Sequence, residues 1–210
     1  MAFKTADFEA MKPQPYSDAR HKLRTGDILL FSSTGMFSRV IEHFTDSLWS
    51  HSALVWRVGT EKLDRVLLLE SIENIGIRAV SANFRINGAG SAKAYDGKLA
   101  LVRHKLMPYP MAHESVSAIT RFGIDHLGYP YSPEELIKIA ARITLGLAGV
   151  TLHSQLHPVN SYICSEFVAK CYEAVDIKLA PDVEGFMAPA DIAADPNIFP
   201  VVALCPDLPA

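Results

Sequence analysis

The chain has 210 residues, 49% of them apolar and 20% charged, with a formal net charge of −3. That length suits one substantial domain or two small ones, and the balance is that of a soluble globular chain. No basic stripe interleaves with aromatics, so nucleic-acid binding is not expected, and three cysteines argue against a disulfide framework and for a reducing compartment.

Residues 1–24 are polar, carry Pro13 and Pro15, and read as an N-terminal extension with a short helix near Phe3–Met11. The first residues contain no apolar h-region, so no secretory signal is expected and a cytoplasmic location follows. After the Gly26-Asp27 turn, Ile28-Leu29-Leu30-Phe31 has the content of a buried strand. Apolar residues at 36, 37, 40, 41 and 44 then follow helix spacing over Met36–Phe44.

Ser52–Val58, Val66–Glu70, Gly76–Val80 and Leu99–Arg103 read as further strands, with a Gly/Ser/Ala/Lys-rich loop over 87–98. Their succession predicts an antiparallel sheet or a small barrel. The second half is helical. Met111–Leu127 carries one apolar face, and Gly128-Tyr129-Pro130-Tyr131 breaks it.

Pro133 opens a segment whose least polar part, Leu136–Leu152, is interrupted by Lys138 and Arg142. It is at the short limit for a membrane span and carries charge, so it reads as a buried or lid-like helix. Contact with lipid through an amphipathic 136–152 surface is the sharper alternative. A helix from Cys164 to about Ala174, a short helix at Pro189–Ala193 and a strand at Val201–Leu204 complete the chain. The expected organisation is α+β: an extension over 1–23, and one domain over 24–205 with an apolar helical insert at about 133–157.

The chemistry centres on Asn160-Ser161-Tyr162-Ile163-Cys164-Ser165-Glu166-Phe167-Val168. Ser161 is a good N-cap residue, which places Cys164 in the first turn of a helix. There the positive end of the helix dipole favours the thiolate. Cys171, two turns further on, reads as core, and Cys205 carries no signal. A lone cysteine is more often a space-filler than a nucleophile, so the partners decide.

His51 opens an apolar strand, where its side chain can emerge at the edge of a cleft; the plainer alternative is a hydrogen-bonded core histidine. Glu70 ends the next strand. If the two strands form a hairpin, their midpoint falls near Thr60-Glu61 and the two residues come close across the pair. A carboxylate there can orient an imidazole and stabilise its cation; equally, it can mark a solvent-exposed strand end. Cysteine, histidine and carboxylate together make a nucleophile–base–orienter set. The Cys164 backbone N–H is one oxyanion donor. Tyr131 or Tyr162 could supply a second, and Ser50, next to His51, joins them as a pocket candidate.

No cofactor and no metal are expected. His153-x-x-x-His157 could pair two imidazoles on one helix face, but Pro158 follows at once and no Cys or acidic ligand sits at zinc-site spacing. Gly88-Ala89-Gly90 lacks the strand-to-helix setting of a nucleotide loop.

Four segments resemble one family. Thr25-Gly26-Asp27-Ile28-Leu29-Leu30-Phe31 is similar to the opening strand of NlpC/P60-type cysteine hydrolases. Thr45 to Val55, around Ser50-His51-Ser52, is similar to the histidine motif of their circularly permuted branch. Leu69-Glu70-Ser71, followed by Gly76-Ile77, resembles its acidic strand, and Leu127 to Tyr131 with Tyr162 to Val168 resembles its cysteine motif.

The likeness is to the YiiX/YaeF-like permuted papain-fold hydrolases, relatives of lecithin:retinol acyltransferase, over about residues 24–195. It implies a papain-like core with a cysteine-bearing helix packed on an antiparallel sheet, Cys164 as nucleophile, His51 as base and Glu70 as the third member. The insert at 136–157 and the lack of a signal peptide depart from that pattern.

The expected function is a cysteine hydrolase that cleaves an amide (peptide-like) bond through a thioester acyl-enzyme. An acyl-ester hydrolase or acyltransferase acting on a lipid is the alternative. A binding module that keeps the cleft without turnover is a second, and a purely structural protein a third. The expected partner is therefore a small-molecule, peptide-like or lipid acyl substrate.

Overall fold

Ile28-Leu29-Leu30-Phe31 is apolar at every position, and in the computed structural model it is the middle strand of a seven-stranded sheet, buried throughout. Residues 5–32, 48–59, 64–107, 109, 113–131, 162–179 and 187–207 are described. The helices expected at Met36–Phe44 and Leu136–Leu152, the turn at Thr60-Glu61, and His153, His157 and Ser161 lie outside them.

The strands are β1 (Gln14–Pro15), β2 (Ile28–Phe31), β3 (His51–Val58), β4 (Arg65–Ile72), β5 (Gly76–Ser81), β6 (Leu99–His104) and β7 (Ile198–Cys205). Their spatial order is β1-β7-β6-β2-β3-β4-β5. Every pairing is antiparallel except β1 with β7, which is parallel. The sheet is open, which decides between the two expected forms: it is not a barrel. Two features oppose closure. At one edge, Pro15 in the two-residue β1 has no N–H to offer. At the other, the edge of β5 is already spent: Ile77 N–H donates to the Tyr129 carbonyl at 2.9 Å, and Gly128 N–H donates to the Ile77 carbonyl at 2.8 Å.

Among the described residues the helices are α1 (Thr5–Glu9), α2 (Tyr16–Ala19), α3 (Ala82–Asn87), α4 (His113–Asp125), α5 (Cys164–Glu173) and α6 (Pro189–Ala194). α3 has no counterpart among the helices expected from the sequence. Its start is marked by Ser81, whose Oγ accepts the Phe84 N–H at 3.5 Å.

Alternation along the central strands makes two apolar layers. Ile28, Leu30, Leu54, Leu69 and Ile77 face Ile119 of α4 and Phe167, Val168, Cys171 and Tyr172 of α5. Leu29, Phe31, Ala53, Val55 and Leu68 face Ala82 and Ile86 of α3 and the N-terminal Tyr16, Ala19 and Leu23. Each fully buried large side chain contributes roughly 1.5–3 kcal/mol, so α5 is held mainly by its apolar face.

Residues 5–23, expected as an extension, pack into both layers: Phe8 joins the first and Tyr16 the second. Arg57 of β3 fastens them, donating to the Leu23 carbonyl at 2.9 Å while pairing with Asp64 at 2.7 Å. At the start of β2, the buried Asp27 takes Arg103 Nε at 2.7 Å and the Tyr109 hydroxyl at 3.0 Å.

Candidate active site

Cys164 is the first residue of α5. The cap differs from the expectation built on Ser161: the N-cap position is Ile163, in extended backbone, with no side-chain cap hydrogen bond. Glu166 serves the helix start instead, its Oε2 accepting the Ile163 N–H at 3.4 Å. Two further contacts hold this end. Ser71 Oγ on β4 donates to the Tyr162 carbonyl at 2.6 Å, and Ser165 Oγ donates to the Met187 carbonyl.

His51 begins β3, and its Nε2 lies 2.8 Å from Glu70 Oε2. The two are not directly opposite. Leu54 pairs with Leu69, so that register puts Glu70 across from Ala53, a diagonal neighbour of His51 on the same face. Diagonal positions are within reach of long side chains. With Nε2 engaged by Glu70, Nδ1 is the nitrogen left for the Cys164 sulfur, to which His51 is hydrogen-bonded. The parity of the strands shows how the set is assembled. His51 and Glu70 project on the α3 side of the sheet, and α5 delivers the sulfur from the other side, so they meet at the end of β3.

Glu70 is wholly buried, yet it faces three cations. Arg78, its cross-strand partner on β5, places Nε and Nη2 at 3.0 and 2.7 Å from Oε1. Arg85 on α3 places Nε 3.5 Å from Oε2.

These neighbours overcome desolvation, which disfavours every charge here. Burial would raise Glu70, but His51, Arg85 and Arg78 bring it down to about 2. Burial would lower His51, but the charge and hydrogen bond of Cys164, then Glu70, lift it to about 9. Burial would raise the Cys164 thiol, but the His51 imidazolium and the backbone N–H groups of Ser52 and Ser165 lower it. All three shifts favour a thiolate–imidazolium–carboxylate row.

The remaining candidates separate. For Tyr131, burial, then the charges of Cys164, Glu73 and Glu166, push its phenol far up, so the hydroxyl stays protonated. The Tyr162 ring turns instead to Phe122 and His126, with centroids 5.9 and 5.6 Å away, while its carbonyl is held by Ser71. The Ser50 N–H donates to the Phe31 carbonyl at 2.9 Å, within the sheet. Cys171 is fully buried and burial alone drives its thiol far up; burial, with Asp207 and Asp18, raises Cys205 too.

Arg78, Arg85 and Ser71 were not singled out from sequence. Only Arg78 had a readable signal: a tight turn centred on Asn74 brings residues 70 and 78 face to face.

Among the described residues, no group of three or more His, Cys, Asp or Glu side chains is placed to hold a metal ion, and no helix is long and apolar enough to cross a membrane.

No protein-family model matches the chain, and no curated protein matches it at a significant level. A solved structure does. The fold is similar to that of the metalloprotein yiiX from Escherichia coli O157:H7 (DUF1105), with a TM-score of 0.60 over 87% of this chain and 98% of that one. Sequence identity is 16%, so what the two share is a fold.

Proposed function

We propose that the protein is a cysteine hydrolase of the permuted papain-like (NlpC/P60) type, acting through Cys164, His51 and Glu70. One observation carries this reading: a single imidazole stands between a helix-N-terminal thiol and a buried carboxylate, 2.8 Å from the latter.

The thiolate of Cys164 attacks the acyl carbon, and the carbonyl oxygen becomes an oxyanion beside the first amides of α5. Collapse expels the leaving amine or alcohol, which takes the proton from His51 Nδ1 and leaves a thioester. His51, now neutral, removes a proton from water, hydroxide adds to the thioester, and the acid departs as the thiolate and imidazolium are restored. Glu70 keeps Nε2 protonated and stabilises the cation throughout. The Tyr131 hydroxyl, kept protonated and within reach of the Cys164 charge, is the candidate for a further oxyanion donor.

An amide substrate of peptide-like character follows from the NlpC/P60 resemblance. Ester hydrolysis or acyl transfer on a lipid follows from the acyltransferase kinship and the apolar insert. The fold neighbour yiiX is a metalloprotein. Among the described residues, Cys164, His51 and Glu70 bond to one another in a row, and no three such side chains are placed to hold a metal ion.

The test is the pH dependence of Cys164 alkylation by iodoacetamide, in wild type and His51→Ala, with Cys171 and Cys205 replaced. Fast reaction well below the pH of a free thiol, lost in His51→Ala, is the expected result. Ordinary thiol behaviour in both proteins sinks the proposal. Turnover of γ-glutamyl peptides against short-chain phospholipids then separates amide from ester.

A further inference from the structure

The two arginines around Glu70 are not equivalent. Arg78 holds Oε1 with two short bonds. Arg85 approaches Oε2, the oxygen that also takes His51, and does so at 3.5 Å, the limit of a hydrogen bond. Aromatic rings hold it there. Its guanidinium carbon lies 4.7 Å from the Phe31 ring centroid and 5.3 Å from that of Tyr95. The Phe31 ring is in turn 5.2 Å from the His51 ring. The fold thus stations a third cation beside an oxygen that already has a partner.

A thiol hydrolase asks two opposed things of its histidine. It must hold a proton while the thiolate attacks, then release it to the leaving group. A buried carboxylate at 2.8 Å serves only the first. A cation at the same oxygen serves the second, because it makes Oε2 a weaker acceptor and repels the imidazolium.

We infer that Arg85 is a positioning residue: by sharing Glu70 Oε2 with His51 it loosens the carboxylate's hold on the imidazolium, so that the Nδ1 proton passes to the leaving group. The inference rests on the hydrolase reading of this site. The groups that face His51 are Cys164 from α5, Glu70 from β4 and Arg85 from α3, with Arg78 from β5 acting through Glu70. β2 contributes the Phe31 ring. Tyr131 feels the Cys164 charge, and Glu73 and Glu166 act on Tyr131.

The test titrates the His51 ring by NMR in the full-length protein with nitrogen-labelled imidazole. Arg85→Met keeps an apolar stem over Phe31 and Tyr95 and removes the charge. The His51 midpoint is expected to rise by about half a pH unit or more, and Arg85→Lys to restore it. A midpoint that stays put or falls in folded Arg85→Met overturns the inference; Arg85→Gln gives the same readout should the methionine variant not fold. Wild-type Cys164 alkylation is measured alongside. An ordinary thiol there overturns the hydrolase reading itself. A depressed thiol with an unmoved His51 midpoint overturns only the role of Arg85.

Discussion

Glu70 and Ser71 are neighbours on β4 that project to opposite faces of the sheet, and between them they set both halves of the site. Glu70 takes the imidazole at 2.8 Å on one face, and Ser71 holds the Tyr162 carbonyl, two residues before Cys164, at 2.6 Å on the other. A shift of β4 by one residue would exchange the two and dismantle the row.

Ser71→Ala leaves the Tyr162 carbonyl without its donor in a nearly closed environment, since Ser71 is 1% exposed. The expected loss is about 1–3 kcal/mol in chemical denaturation. Cys164 alkylation should slow as well, because the start of α5 loses its anchor. Unchanged stability and unchanged alkylation would show that the contact does not place the helix.

Glu70 ties stability to acid. A carboxyl whose folded pKa lies below its unfolded value stabilises fully above the unfolded value, and loses that stability as pH falls through the folded one. For Glu70 the window runs from 4.5 down to about 2. Denaturation curves should therefore show wild-type stability falling with pH across that range, and Glu70→Gln should flatten the slope. An equal slope in both proteins would assign acid sensitivity to other carboxyls.

Gly76 sits at φ +87°, and a Cβ there would lie 2.2 Å from the Tyr129 carbonyl oxygen. Gly76→Ala therefore strains the backbone and displaces the Tyr129-Pro130-Tyr131 turn that seals the β5 edge. A loss of about 1–3 kcal/mol is expected, with slower Cys164 alkylation because Tyr131 moves. A crystal structure of the variant with the turn in place would contradict this.

Asp27 provides the contrast. It pairs with Arg103 at the start of β2, whereas His51 lies opposite Phe31 at the strand's other end. Asp27→Asn breaks a buried ion pair and should cost about 3–5 kcal/mol. The pH profile of Cys164 alkylation should stay where it is in the folded variant. A moved profile would mean that the two charge clusters are coupled through β2.

What the sequence discloses, and what it hides, follows from how local each signal is. Ile28–Phe31 and Leu99–His104 are legible because strands buried on both faces are apolar at nearly every position. Cys164 at a helix start is legible from the apolar period after it, although Ser161 points to the wrong cap. His51 and Glu70 are legible as a pair from hairpin symmetry, but the register is offset and the contact is diagonal.

Other features depend on distant parts of the chain. β1 is two residues long and exists only because β7 is there to pair with it. The role of Arg85 depends on α3 folding back over Phe31 and Tyr95. Nothing near Tyr162 says whether its ring faces the sulfur or Phe122.

The position of β7 sets a schedule for the chain's birth. It lies between β1 and β6, inside the sheet, and its hydrogen bonds fasten residues 14–15 to residues 204–205. A nascent chain that has already made His51, Glu70 and Cys164 still lacks an inner strand and exposes the edge of β6. The sheet is therefore complete only once residue 205 has left the ribosome, and a chain truncated before residue 198 would offer a sticky edge in place of a finished sheet.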